Sequence, residues 1–91
     1  MDAVLPGEDL IEAGLRDLRE GRETVEALLV AIGSPRLRRL GLELPEQLPQ
    51  NPEHRLYDLL AKTDEDSAHS RYNSLLRKLV SFERAAECVK R

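Results

Sequence analysis

Arginine and lysine side chains are the chemically most suggestive groups in this chain of 91 residues. Arg36, Arg38 and Arg39 crowd the stretch that follows Gly33-Ser34-Pro35, and Arg71, Arg77, Lys78 and Arg84 recur along the last third of the chain. A guanidinium presents a fork of donors that matches phosphate, so clusters of this kind suit a nucleic-acid backbone. If the chain binds DNA or RNA, Arg36, Arg38, Arg39, Arg77 and Lys78 are the expected phosphate contacts, with Tyr72 and Asn73 beside them. Two features weigh the other way. The net charge is -3, and the short basic segment runs into a proline-containing loop instead of a recognition helix.

Metal-binding and nucleophilic chemistry have weaker signals. His54 and Asp58 are four residues apart, as are Glu65 and His69, and Asp66 lies three before His69; at these spacings helical side chains can share a metal. A metal site built on helices takes more ligands than one such pair supplies. Glu8, Asp9, Glu12, Glu23 and Glu26 are numerous enough for magnesium, but such sites draw carboxylates from two facing helices, whereas these fall on one predicted helix. A solvated acidic face is the expected outcome. Cys88 is the single cysteine, so it has no intrachain disulfide partner and no neighbouring base to activate it. Neither a glycine-rich phosphate loop nor a nucleophile motif occurs. The chain is therefore expected to hold no metal or cofactor and not to be an enzyme.

The elements that would position these residues read as helices. The aromatics are Tyr57, Tyr72 and Phe82 alone, which leaves a core of Leu, Ile, Val and Ala and favours helix seams. Ala68, Tyr72, Leu75, Leu79, Phe82, Ala86 and Val89 recur at alternating spacings of four and three, which predicts one long amphipathic helix over 63–90. Ile11, Leu15, Leu18, Val25, Leu29 and Ile32 keep the same rhythm near the N-terminus. Because the phase survives across Glu20-Gly21-Arg22, it predicts a continuous helix over 8–33, after a tail over 1–7. Gly14 and Gly21 share one line of that helix, where a missing side chain would admit another backbone or the ring of Phe82 or Tyr72. Gly33 marks a helix end, Ser34-Pro35 and Asn51-Pro52 mark helix starts, and Thr63 with Asp64, Glu65 and Asp66 marks a fourth. Short helices and a proline-rich loop thus fill 34–62.

The reading is a single all-α domain over 1–91, an antiparallel hairpin of two long helices with short helices between them. Acidic residues dominate the first helix and basic residues the last, so the two would neutralise each other side by side. Leu76 and Val80 lie beside the main seam of the last helix, and Leu28, Val30 and Ala31 beside that of the first. This surplus width predicts a homodimer completing a four-helix bundle, with Leu76 and Val80 at the dimer or partner contact. The expected role is a helical interaction or scaffold module, with nucleic-acid binding as the alternative. No basic-then-apolar leader and no run of 18 apolar residues occurs, so a cytoplasmic protein without a membrane span is expected.

Overall fold

The computed structural model describes residues 5–90; the start of the expected tail, residues 1–4, lies outside them. Among the described residues the chain is all-helical: α1 (Glu8–Arg19), α2 (Val25–Ile32), α3 (Ser34–Arg39), α4 (Pro52–Thr63) and α5 (Ala68–Lys90).

The continuous helix expected over 8–33 is two helices. Gly21 adopts a left-handed φ of 76°, its N–H donates to the Leu18 carbonyl at 3.1 Å, and the Arg22 N–H donates to the Asp17 carbonyl at 2.8 Å. These two bonds form a Schellman motif that satisfies the last carbonyls of α1. Thr24 then caps α2, its hydroxyl accepting from the Ala27 N–H at 3.1 Å and donating to Asp17 Oδ2 at 2.6 Å. Arg22 Nη2 lies 3.1 Å from Asp17 Oδ1. Asp17 is buried, so one carboxylate ties the end of α1 to the cap of α2, and the chain reverses there.

The reversal lays α2 antiparallel against α1. Gly14 is the point of closest approach: a Cβ there would lie 2.8 Å from the Glu26 carbonyl carbon and closer still to its oxygen and to Val30 Cγ2. Thus Gly14 admits a neighbouring backbone, not an aromatic ring, while Gly21 has nothing within 4 Å and serves the turn. Five successive residues of α2, Ala27 to Ala31, are buried. A helix apolar all round belongs in an interior, and α2 packs on α1, α3, α4 and α5. The extra width of the first helix, Leu28, Val30 and Ala31, is therefore absorbed within the chain, whereas Val80 on α5 stays exposed.

The other elements close around α2. Gly33 ends it, and the missing side chain lets Leu79 sit where a Cβ would be only 2.8 Å from its Cδ1. Leu42 and Leu44 of the connecting loop pack on the core, held by Arg19 donating to the Glu43 carbonyl at 3.3 Å and Arg38 donating to the Pro45 carbonyl at 2.9 Å. Leu56 and Leu60 of α4 are buried, and Tyr57 meets Tyr72 of α5 edge to face at 5.7 Å. Burial raises the Tyr72 pKa, and nearby Glu53 adds to the rise. Thr63 ends α4 instead of starting α5; Asp64 Oδ1 accepts from the Asp66 N–H at 3.1 Å in a turn, and α5 begins at Ala68. Ala68, Leu79 and Phe82 are buried, as the stripe requires, whereas Val89 is 72% exposed.

The two terminal helices do not form the expected long hairpin: α5 runs along α4 and α2, without an extended seam to α1. Nor do their charges neutralise each other across such a seam. Asp17 and Glu20 pair with Arg22, and Glu23 pairs with Arg55 of α4.

Candidate interaction surface

The residues that α5 turns away from α2 and α4 form a second stripe. Asn73, Arg77, Val80 and Arg84 follow one another at spacings of four, three and four, so they share a line opposite Leu75, Leu79 and Phe82. With Leu76 and Ser81 they line an open depression of about 490 Å³. Val80 is 37% exposed, one of the large apolar residues left on the surface together with Tyr57 and Val89; Leu76 is half-buried and touches the core.

A second depression, of about 360 Å³, adjoins the first and shares Leu76 and Val80 with it. Its far wall is the α2–α3 corner, including Ile32, Gly33 and Pro35. Close packing of Gly33 on Leu79 brings the corner near enough to α5 to make a groove instead of a convex ridge.

One end of that groove carries an ionic clasp. Arg36 Nε donates to Glu87 Oε1 at 2.6 Å, and Arg36 Nη1 lies 3.6 Å from Glu83 Oε1. The Glu83 residue is only 4% exposed. Burial raises its carboxyl pKa; Arg36 opposes that rise and Glu87 adds to it. The hydrogen bond to Glu87 in turn raises the Arg36 pKa. The short contact identifies Glu87 as the principal partner of Arg36, with Glu83 secondary.

The seven residues marked out by sequence converge only in part: Leu76 and Val80 meet Arg77 in the first depression and Arg36 and Arg39 in the second. Leu76, Val80 and Arg77 share the outer face of α5. Lys78 lines a different hollow with Arg71, Val25 and Glu26. Arg36 is engaged with Glu87 and Glu83, Arg38 with the Pro45 carbonyl, and Arg39 Nε donates to the Pro35 carbonyl at 3.4 Å. The three arginines of α3 thus brace the chain's own structure. His54 Nε2 is 3.2 Å from Asp58 Oδ2 and His69 Nε2 is 3.2 Å from Asn73 Nδ2. Among the described residues no group of three or more His, Cys, Asp or Glu is placed to hold a metal ion, and no helix is long and apolar enough to cross a membrane.

Sequence reasoning did not single out Ser81, Glu83 or the α2–α3 wall. The stripe through Asn73, Val80 and Arg84 was available in the spacing, but its mixture of polar, apolar and basic residues gives no hydropathy signal. No protein-family model, curated protein or solved structure matches this chain.

Proposed function

We propose that the chain is a non-enzymatic helical interaction module whose contact surface is the outer face of α5, centred on Leu76 and Val80. The observation that carries this reading is the groove itself: two adjoining depressions meet at these two apolar side chains. Helix-in-groove recognition uses such a surface, a few apolar anchors within a polar rim. A second copy of the chain is one polypeptide this face accepts. Because Leu28, Val30 and Ala31 are already buried, a homodimer would rest on Leu76, Val80 and their rim.

A photo-crosslinking side chain at Ser81, introduced in cells that carry the gene, tests the reading. The expected result is one discrete adduct that disappears when Leu76 or Val80 is changed to Asp, with an adduct at twice the 10.3 kDa chain mass identifying a homodimer. The reading fails if no adduct forms, or if the adducts survive both substitutions.

Nucleic-acid contact is a second reading, supported by the exposed cations Arg71, Arg77, Lys78 and Arg84 on α5. With Arg36, Arg38 and Arg39 engaged elsewhere, the phosphate contacts would fall to α5. Mobility shifts at low salt that weaken with Arg77→Ala and Lys78→Ala would support it.

A further inference from the structure

We infer that the polypeptide seated on this face is an acidic amphipathic helix from a different protein, and this rests on the interaction reading above. The first argument is charge. The depression along α5 is lined by Asn73, Leu76, Arg77, Val80, Ser81 and Arg84: two apolar anchors, two arginines and no carboxylate. Arg77 and Arg84 are exposed, and neither has an ion pair with another described residue. The carboxylates Glu83 and Glu87, also on α5, are turned to Arg36 of α3. The open flank of the groove therefore presents unmatched positive charge beside its apolar centre, and a partner with carboxylates flanking its own apolar stripe complements it.

The second argument is area. An interface of standard size covers roughly 800 Å² on each partner, and homodimer interfaces are the more apolar ones. Here the apolar contribution is Val80, 37% exposed, and the half-buried Leu76, with Ile32 and Pro35 across the groove. Two antiparallel copies of α5 meeting at Leu76 and Val80 would also bring Arg77 of each chain to within about one helical turn of its counterpart along the axis. Like charge on a small apolar patch disfavours self-pairing and favours an oppositely charged partner. The third argument is length. Asn73 to Arg84 spans about 17 Å of helix, or three turns, which matches a partner segment with anchors at i, i+3 or i+4, and i+7.

Two synthetic 16-residue helices of equal leucine stripe, one flanked by Glu and one by Lys, serve as probes against the full chain. Fluorescence anisotropy is expected to show the Glu peptide binding at least about tenfold more tightly at low salt, with the ratio narrowing as salt screens the rim. Replacing Arg77 and Arg84 together by Glu should reverse the preference, and Val80→Asp should weaken both peptides; circular dichroism checks that both variants keep their helix. Equal binding of the two peptides overturns the charge assignment. Binding of neither peptide overturns the acidic-helix class, and the Ser81 crosslink then decides whether the interaction reading itself survives. A crosslinked adduct of two copies of this chain replaces the acidic helix with a homodimer.

Discussion

Helices α2 and α5 use their length in opposite ways. The shorter, with 8 residues, is buried through its middle and packs on all four other helices. The longer, with 23 residues, buries one stripe and leaves a mixed apolar and basic stripe facing out. Length alone would make α5 the organising element. Packing gives that role to α2, because a helix enclosed on every side determines where its neighbours lie, while an amphipathic helix only has to find one surface. The chain thus separates two tasks: α2 holds the fold together, and α5 carries the surface proposed for recognition.

The sharpest way to break that contrast is at Gly14, the seat of α2 on α1. Gly14→Ala puts a methyl group into the Glu26 backbone and Val30 and should cost at least about 3 kcal/mol, or abolish the cooperative urea transition. A stability close to the parent's would mean that the two helices are not so closely seated. Next in size comes a direct comparison. Leu29→Ala in α2, at a residue 0% exposed, is expected to cost about 3 kcal/mol, against less than about 0.5 kcal/mol for Val80→Ala on the outer face of α5. Equal losses in chemical denaturation would remove the division of labour.

A smaller effect is expected at Gly21. With nothing within 4 Å, Gly21→Ala carries only the conformational penalty of a left-handed residue, about 1 kcal/mol. If the substitution stabilises the chain, α1 and α2 are one rod, and α2 loses its enclosed position.

The smallest expected effect lies in the pH dependence at the clasp. Burial raises the Glu83 pKa above its ordinary 4.5, so the folded chain holds that proton more tightly than the unfolded one. Its stabilising contribution is complete below the ordinary value and is lost as pH rises through the raised one. Glu83→Gln should therefore gain on the parent in urea midpoint as pH rises from 4.5 toward neutrality. An unchanged difference between the two proteins across that range would place Glu83 in water.

Much of the architecture is legible in the residues themselves. All-helical composition, the helix end at Gly33, the starts near Pro35 and Pro52, and the buried stripe of α5 follow from local rules that the packing respects. The break at Gly21 does not follow from apolar phase, because each helix of a hairpin sets its own phase against a common interior, and Leu18 and Val25 can fall seven apart by coincidence. The informative signals were local: the polar run Arg19-Glu20-Gly21-Arg22-Glu23-Thr24, a glycine suited to a left-handed turn, and a threonine three residues before Ala27. Leu28, Val30 and Ala31 read as surplus width, whereas with Ala27 and Leu29 they mark enclosure. On the candidate surface, Leu76 and Val80 were recognisable as residues outside the seam. The fate of each arginine was not, because whether Arg36 meets water or Glu87 depends on how α3 settles against α5, a long-range outcome that spacing along either helix does not contain.

Two glycines grip the waist of α5 from different directions. A Cβ at Gly7, before α1, would lie 3.1 Å from the Lys78 carbonyl oxygen, and one at Gly33 would lie 2.8 Å from Leu79. Such steric seating is indifferent to ionic strength, as is the Tyr57–Tyr72 ring contact toward the N-terminal end of the helix. The C-terminal turns are moored through Arg36 and Glu87, and dissolved ions weaken that mooring. Rising salt therefore weakens this one attachment and leaves the steric and apolar ones intact, like a beam clamped at its centre with a single guy rope slackening.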